Sequence, residues 1–484
     1  MIFRLKLIRV LLLPCFFLLA EASSGQVSNA TTRFATQPAL AGASISAVVT
    51  DMITGEVIQD FDGSRRLCPA SVWKLATTTA ALEVLGSDFR FRTTLAWEGR
   101  IENGTLFGDL IIVGGGDPSL GSRHIGAGFD ALYAQWVSAI EAAGIDSIRG
   151  RVIGNAAHFQ GDGIPRTRIW EDMANYYGTG VSGLSIHDNT YFVEFSTLPE
   201  PDQPAVLKRV HPAVPGLEIT SEVMSSTVQA DKAFIFGTPY DTRRVISGTL
   251  PLGKTSYEIK GSLPDPALFA AFHLCDRLEK VGIPVSGGPE AEHQVTRELP
   301  TLKILSEHLS PPLAELVAHT NKVSDNLFAE TLLYQLGAQA SAPTLEGGLA
   351  ALAAQMAKMT YSTKPLFFYD GSGLSRYTAV SARHMASVLS YARKSPILKT
   401  EVLDRLPMAG KEGSMRYFAA EGPLSGNLRG KSGSMEKVRC YAGYFTAKTG
   451  REVGFAVLVN NFDGNPVEVR GLIEKWLEEV YRGY

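Results

Sequence analysis

The pattern of apolar and polar residues predicts an α/β protein in which two strands precede a buried helix. Residues 45–49 and 56–61 have the composition of strands and are joined by a glycine-containing turn, which is typical of a β-hairpin. Residues 71–85 carry apolar side chains at roughly helical spacing, and Gly86 follows as a C-cap. We therefore expect a buried helix that begins at Ser71, where the backbone N–H of the serine is available to donate.

The C-terminal region again combines strands with a helix. Residues 439–447 and 452–460 predict a strand pair, and residues 467–481 predict a helix with one apolar stripe. The opposite face of this helix carries four glutamates. Because anionic lipid would repel these carboxylates, the pattern favours packing on a sheet over binding to a membrane surface.

The middle of the chain changes from strand-rich to helix-rich. Residues 89–262 read mostly as strands, with one helix expected over residues 128–144. A chain of 484 residues is too long for one hydrophobic core, which indicates two or three domains. Helical patterns then cover residues 265–282, 310–319, 323–336 and 344–358.

The first 26 residues have the pattern of a cleaved secretory signal peptide. Basic residues up to Arg9 precede an apolar run over residues 10–20, and small residues follow. The mature chain is expected to start near residues 23–27. The apolar run is too short to span a bilayer comfortably, so no transmembrane segment is expected after cleavage.

Composition narrows the classes of partner. The chain is 45% apolar and 20% charged with a formal net charge of −3, so neither nucleic acid nor strong membrane attraction is indicated. Signal cleavage would leave Cys68, Cys275 and Cys440, an odd number, so at least one thiol stays unpaired. Export permits a disulfide between Cys68 and Cys440, and the favoured alternative is that all three are buried free thiols.

Three short motifs carry the chemistry. They are Ser-x-x-Lys at residues 71–74, Ser-x-Asn at 324–326 and Lys-Ser-Gly at 431–433. This ordered set occurs in penicillin-binding proteins and serine β-lactamases, which acylate a serine with lysine in place of histidine as the base. Together the motifs predict a nucleophile, a base and a substrate clamp.

The spacing of the first motif fits that role. Positions i and i+3 share one face of a helix, so the Lys74 amine can reach the Ser71 hydroxyl. An ordinary lysine is protonated at neutral pH, but burial and the second cation Lys431 would lower its pKa. A drop of roughly three units costs about 4 kcal/mol, which a desolvated cleft can supply. The remaining roles are a proton relay for Ser324, contacts to Lys74 and to a substrate amide for Asn326, and binding of a substrate carboxylate for Lys431 and Ser432.

Other matches to the same motifs are interpreted as decoys. Residues 434–437 also read Ser-x-x-Lys, residues 425–427 read Ser-x-Asn, and residues 448–450 read Lys-Thr-Gly. The last of these lies between two predicted strands, where a turn requires polar residues and glycine. Residues 114–117 (Gly-Gly-Gly-Asp) are likewise read as a tight turn, because no Gly-Lys-Ser/Thr follows to bind phosphate.

Competing active sites are not supported. The nine histidines contain no His-x-x-x-His pair, which argues against zinc, and no Gly-x-Ser-x-Gly elbow is present, which argues against an α/β-hydrolase. No metal and no organic cofactor is expected.

From about residue 40 onwards the chain resembles the D-alanyl-D-alanine carboxypeptidase/endopeptidase family, the low-molecular-mass class C penicillin-binding proteins. About 250 residues separate Ser71 from Ser324, far more than in compact β-lactamases. The chain departs from the family at Ser432, where threonine is commoner, and at residues 377–378, but neither change removes a needed functional group. Beyond the three motifs, the resemblance rests on residues 115–118 (Gly-Gly-Asp-Pro), 170–172 (Trp-Glu-Asp), 370–376 (Asp-Gly-Ser-Gly-Leu-Ser-Arg) and 441–444 (Tyr-Ala-Gly-Tyr).

The resemblance implies an α/β (α+β) architecture with an insertion. Residues 27–88 and 263–484 would form a transpeptidase/β-lactamase-like catalytic domain, an antiparallel sheet covered by helices. Residues 89–262 would form the inserted β-rich region of two smaller domains. The implied protein is an exported enzyme of the periplasm or cell envelope that acts on peptidoglycan peptides ending in D-Ala-D-Ala. Its acyl-enzyme would form at Ser71, and β-lactam antibiotics would acylate the same residue.

The resemblance also implies residues that bind substrate. The oxyanion would be held by the backbone N–H groups of Ser71 and Ser434, with Ser432 and Gly433 on the same substrate-binding segment. Asp172 would offer a carboxylate to the amine of the diamino residue in the peptide stem, and Arg376 would pair with its carboxylate. Structural roles stay open for both of these residues, a local cap for the aspartate and a surface salt bridge for the arginine.

Two other functions compete with this interpretation. A β-lactamase would differ only in faster hydrolysis of the acyl-enzyme, and the long insertion argues against it. A non-catalytic wall-binding or β-lactam-sensing protein would keep the fold, and the presence of all three motifs argues against that function.

Overall fold

The computed structural model describes residues 30–294, 301–360 and 366–484, so the predicted signal peptide lies outside the described residues. Residues 30–35 are helical, and the α-helices that follow are α1 (Lys74–Leu85, preceded by a 3₁₀ turn at Ala70–Trp73), α2 (Phe129–Ala142), α3 (Trp170–Met173), α4 (Pro266–Lys280), α5 (Leu313–Val323), α6 (Asn326–Gln339), α7 (Leu345–Thr360), α8 (Ala382–Lys394), α9 (Pro396–Leu398) and α10 (Pro466–Gly483).

Most of the strands lie in the first two thirds of the chain. They are β1 (Ser44–Asp51), β2 (Val57–Phe61), β3 (Arg66–Leu67), β4 (Arg92–Trp97), β5 (Arg100–Glu102), β6 (Thr105–Phe107), β7 (Leu110–Val113), β8 (Ser147–Ile148), β9 (Val152–Asn155), β10 (Thr190–Ser196), β11 (Val206–His211), β12 (Glu218–Ser226), β13 (Phe234–Phe236), β14 (Arg243–Pro251), β15 (Tyr257–Ser262), β16 (Pro289–Glu292), β17 (Lys303–Leu309), β18 (Val380–Ser381), β19 (Arg429–Met435), β20 (Val438–Thr446) and β21 (Glu452–Asn460).

The described residues fall into two compact units. The first unit comprises the described part of Met1–Glu83, together with Val317–Ser324 and the described part of Ala353–Tyr484. The second unit comprises the described parts of Val84–Leu316 and Asp325–Leu352. The chain therefore passes from one unit to the other several times.

The first unit is built on one five-stranded sheet. Its strand order is β19-β20-β21-β1-β2, and every neighbouring pair is antiparallel. The first and last strands of the chain pair in the centre, since Ala47 of β1 lies opposite Val457 of β21. Most residues of both central strands are buried, which requires cover on each face.

Helices supply that cover. On one face, Ala47 and Val49 pack in a cluster with Ile473 and Trp476 of α10. On the other face, the backbone N–H of Ala382 at the start of α8 donates to the hydroxyl of Ser46. The period of two along β1 thus separates two helical layers, and α10 packs on the sheet as its apolar stripe predicted.

The second unit is rich in strands. Its five-stranded mixed sheet has the order β16-β9-β7-β4-β17, and three smaller sheets have the orders β11-β10-β15, β12-β14-β13 and β5-β6-β8. Buried apolar side chains from these sheets and from α2 and α4 form one cluster that reaches from Leu95 to Ile283.

The structure confirms the predicted fold class. The predicted hairpin, the helix at residue 71, the C-terminal strand pair and the C-terminal helix are all present. Division by contacts places residues 263–316 in the second unit, so it does not coincide with the boundary expected near residue 262. The proposed domains 27–88 with 263–484, and 89–262, remain a prediction. Within the described residues, no helix is both long enough and apolar enough to cross a membrane.

Candidate active site

The Ser-x-x-Lys motif lies at a sharp turn into α1. Ala70 has φ +46°, in the left-handed region, and Ser71 follows it in the 3₁₀ turn, which ends at Trp73 where α1 begins at Lys74. The side chain of Lys74 is fully buried, and its Nζ lies 2.9 Å from Ser71 Oγ. The i, i+3 contact expected from the sequence is therefore formed.

A second buried lysine belongs to the same unit. Lys431 lies on the edge strand β19, is fully buried, and donates from Nζ to Ser324 Oγ at 2.8 Å. Burial holds the pKa of Lys431 well below its ordinary value, and the positive charge of Lys74 lowers the same pKa further. Ser324 itself has φ +66° and follows the end of α5. The first unit thus brings together Ser71, Lys74, Ser324 and Lys431.

Gly433 allows β19 to pass close to the nucleophile turn. A Cβ at this position would lie 2.6 Å from the carbonyl oxygen of Pro69 and 3.1 Å from the backbone nitrogen of Ser71. A side chain of any kind would therefore force the strand and the turn apart. The Ser432 hydroxyl lies 3.4 Å from the carbonyl oxygen of Ser414, and Ser434 is exposed on the same strand.

Two of the predicted site residues belong to the second unit. Asn326 is the first residue of α6 and donates from Nδ2 to the carbonyl oxygen of Tyr177 at 2.7 Å. Asp172, in α3, is 8% exposed. Burial and the neighbouring Asp172 charge raise the pKa of Tyr177, and the carboxylate also accepts a hydrogen bond from the tyrosine hydroxyl. Tyr177 therefore contacts both predicted residues.

Arg376 lies in the first unit, just after the residue 370–375 loop, and is exposed. Its side chain makes no ion pair with a carboxylate among the described residues. The surface salt bridge considered from the sequence is therefore not formed within the part of the chain that the structure describes.

The other matches to the three motifs lie at turns of the chain. Residues 448–450 form the exposed turn between β20 and β21 that the sequence predicts, and Lys437 has φ +56° at the turn between β19 and β20. Asn427 exchanges hydrogen bonds with the backbone of Thr446 at 2.8 and 3.0 Å. None of these matches opens a helix.

The three described cysteines are free thiols. Cys440 and Cys275 are buried, and Cys68 is partly buried with its sulfur 3.8 Å from Met435 Sδ. The thiols are free as the favoured alternative from the sequence predicted, although Cys68 is only partly buried.

Sequence reasoning missed contacts that the fold brings to the motif residues. Lys74 Nζ also donates to the carbonyl oxygen of Ser372 at 2.9 Å, which links α1 to a loop almost 300 positions later. The loop sequence is part of the family resemblance, but residue types do not reveal which backbone carbonyl group will contact Lys74. Tyr177 was missed for a different reason, since nothing in its immediate neighbours indicates a catalytic context.

Comparisons with known proteins show the family of the chain. Residues 27–480 match the model of the D-Ala-D-Ala carboxypeptidase 3 (S13) family. The chain is 29% identical over 468 residues to a D-alanyl-D-alanine carboxypeptidase of Actinomadura sp. (strain R39), covering 92% of this chain and 83% of that protein.

Solved structures show the same fold. Penicillin binding protein 4 (dacB) from Haemophilus influenzae superposes with a TM-score of 0.80 at 24% identity, covering 94% of this chain and 99% of the other. The same protein complexed with a β-lactam superposes with a TM-score of 0.75 at 24% identity over the same shares. With a family match over nearly the whole chain, this protein belongs to the D-Ala-D-Ala carboxypeptidase 3 (S13) family and is a serine-type D-Ala-D-Ala carboxypeptidase.

Proposed function

We propose that the enzyme removes the terminal D-alanine from peptidoglycan stem peptides through an acyl-enzyme at Ser71, and that β-lactams acylate the same residue. The observation that carries this proposal is the 2.9 Å contact between the Ser71 hydroxyl and the fully buried Lys74 amine. A serine hydroxyl is a weak nucleophile until an adjacent base takes its proton, and Lys74 is placed to do so.

The second buried lysine supports this role. Two charged ammonium groups that lie close together in a desolvated site repel each other, which costs free energy. Burial and this repulsion by Lys74 both lower the pKa of Lys431. A pair of this kind favours states in which one amine is neutral. A substrate carboxylate would then bring the counter-charge that favours protonated Lys431, so that substrate binding and amine charge are coupled.

In the proposed acylation, Lys74 accepts the Ser71 proton as Oγ bonds to the carbonyl carbon between the two D-alanines. The backbone N–H groups of Ser71 and Ser434 would hold the oxyanion. As the C–N bond breaks, the proton passes by way of Ser324 to the leaving amine of D-alanine. Water then attacks the ester, returns the proton to Ser71 Oγ and releases the shortened peptide.

Substrate recognition is proposed for two further residues. Asp172 would bind the amine of the diamino residue, and its burial beside the Tyr177 hydroxyl gives the carboxylate a fixed orientation. Arg376 would bind the carboxylate of the same residue, and its exposed guanidinium has no carboxylate partner among the described residues. Asn326 would hold the substrate amide.

The same proposal extends to where the enzyme acts and to which peptide bonds it cleaves. Residues 1–26 would direct export to the periplasm or cell envelope, where peptidoglycan lies. The same acyl-enzyme forms whether the leaving amine belongs to a terminal D-alanine or to the diamino residue of a cross-linked stem. We therefore propose endopeptidase activity alongside carboxypeptidase activity.

Product analysis tests this function. Purified muropeptides with pentapeptide stems, and cross-linked dimers, are incubated with the enzyme and their products are identified by mass. We expect loss of one D-alanine from pentapeptides and conversion of dimers to monomers. Intact pentapeptides after prolonged incubation would contradict the carboxypeptidase activity, and intact dimers the endopeptidase activity. Asp172→Asn should slow turnover of stems with a free diamino amine but not of N-acetylated stems.

A further inference from the structure

A loop far along the chain docks on the nucleophile helix through three consecutive carbonyl groups. Trp73 Nε1 donates to the carbonyl oxygen of Asp370 at 2.9 Å, and Thr77 Oγ1 donates to that of Gly371 at 2.7 Å. Lys74 Nζ donates to the carbonyl oxygen of Ser372 at 2.9 Å. All three donors belong to the turn and helix that carry the nucleophile, and all three acceptors belong to one first-unit loop.

The Asp370 side chain fixes the shape of this loop. The carboxylate is fully buried, and it accepts from the backbone N–H of Ser375 at 2.7 Å and of Gly373 at 3.1 Å. The hydroxyls of Ser372 and Thr378 also donate to it, at 3.3 and 3.4 Å. With donors around both oxygens, the carboxylate holds the chain in a tight curve with its carbonyl groups turned towards α1.

The approach of the loop to the helix depends on the absence of a side chain at Gly373. This residue has φ +76°, and a Cβ there would lie 2.1 Å from the carbonyl oxygen of Ala70 and 2.9 Å from Trp73 Cβ. Residue 70 immediately precedes the nucleophile. The loop is therefore fitted to the strained turn that presents Ser71.

We propose that the loop of residues 370–375 is a positioning element for the catalytic base, with Asp370 and Thr77 as its positioning residues. A neutral amine has two N–H donors and one lone pair, and it can take the Ser71 proton only when the lone pair points at Oγ. The Ser372 carbonyl accepts one N–H and so restricts rotation of the amine. Thr77 fixes the neighbouring Gly371 carbonyl, and Asp370 fixes the curve of the loop.

This inference rests on the proposed role of Lys74 as the base. The alternative is a purely structural role, in which the loop only stabilises the fold. The two differ in a measurable way: a scaffold contact changes the amount of folded protein, whereas a positioning contact changes the acylation rate constant of each folded molecule.

The nucleophile helix offers a matched set of variants. Thr77 and Thr79 are both buried, but Thr79 Oγ1 has no hydrogen-bond partner among the described residues. Thr77→Val should lower the rate constant of acylation by a fluorescent penicillin roughly 10- to 100-fold, with little change in KM for a D-Ala-D-Ala peptide. Thr77→Ser, which keeps the hydroxyl, should stay within about threefold of the wild type, and Thr79→Val within about twofold.

The possible outcomes distinguish a failure of the positioning role from a failure of the proposed acylation of Ser71. Stopped-flow rate constants that are equal for Thr77→Val and Thr79→Val, with a wild type that is acylated normally, would overturn the positioning role alone. A wild type that no penicillin acylates would overturn both. If Thr77→Val does not fold, Asp370→Asn supplies the measurement, because its amide would face backbone N–H donors. We expect a loss of acylation rate at least as large, and a wild-type rate would contradict the proposal.

Discussion

At the scale of single residues, environment separates side chains that a motif search treats alike. Lys431 and Lys448 both open a Lys-Ser/Thr-Gly triplet, yet the first is fully buried against Ser324 Oγ and the second is exposed at a turn. Lys431→Ala should lower kcat/KM for a D-Ala-D-Ala peptide by about 100-fold or more, because it removes a buried amine from the site. Lys448→Ala, measured in parallel, should stay close to wild type. The reverse ranking would show that the substrate clamp had been placed on the wrong strand.

Asp117 supplies a prediction about pH. It is fully buried in the second unit, and Ser119 donates to its Oδ1, but its Oδ2 has no partner among the described residues. Burial raises the pKa of Asp117 to about 6. A raised pKa means that the folded state binds the proton more tightly, so this carboxyl favours folding below about pH 3.8 and loses that contribution as pH rises from there through about 6.

The wild-type thermal midpoint should therefore fall relative to that of Asp117→Asn when both are moved from pH 5 to pH 7.5. The rise of the Asp117 pKa from 3.8 to about 6 corresponds to about 3 kcal/mol in total, and roughly half of that is lost between pH 5 and pH 7.5, a few degrees in Tm at most. The exposed Asp463→Asn should follow the wild type. Parallel pH profiles for wild type and Asp117→Asn would show that the carboxylate is stabilised by something other than its protonation.

A contact within the site could be predicted from the sequence when its two residues lie close together along the chain. The contact between Lys74 and Ser71 follows from helical spacing alone, so the sequence predicts it. The contact between Lys431 and Ser324 spans 107 positions, and no local pattern encodes it. The motif set implied the nearness of these residues only through resemblance. The distances, the burial and the carbonyl partner of Lys74 required the fold.

At the scale of elements, the close packing of β19 on the nucleophile turn is the feature on which the site depends. Gly433→Ala would place a Cβ 2.6 Å from the carbonyl oxygen of Pro69 and 2.9 Å from the backbone nitrogen of Val72. Because backbone atoms cannot yield as a flexible side chain would, we expect the strand to shift and acylation to slow by about 100-fold.

A matched glycine exists in the same unit. Gly471 lies in α10, and a Cβ there meets nothing within 4 Å. Gly471→Ala should keep wild-type acylation and raise stability by about 0.5–1 kcal/mol, since alanine is the better helix former. Acylation at the wild-type rate by Gly433→Ala would contradict the account of the strand and turn.

Strands that are buried along most of their length were predictable, whereas a strand with few buried residues was not. The strands β1, β20 and β21 are well buried and were predicted within one or two residues. β12 was missed because only two of its nine residues are buried, so that pairing with β14 and not burial defines it. For α8 a signal existed: its buried Met385, Val388, Leu389 and Ala392 follow helical spacing, and the sequence interpretation did not use it.

At the scale of the whole molecule, the sequence predicts more than one compact region, and the domain boundaries proposed from it remain a prediction. Composition changes near residue 262, whereas the contacts group residues 263–316 with the strand-rich second unit. The reason is physical: α4 carries an apolar face that packs in the same cluster as the strands before it. Composition reports the secondary structure of a segment and not the partner against which it packs.

The central claim is that Ser71 is the residue acylated, because it alone among the candidate serines precedes a helix with a buried lysine amine at 2.9 Å. Intact-mass analysis after exposure to penicillin tests it directly. The wild type should gain the mass of one penicilloyl group, and peptide mapping should place that group on Ser71. Ser71→Ala, with a wild-type thermal midpoint, should gain no mass. Persistent labelling of that variant, or a label found on Ser434 in the wild type, would contradict the account.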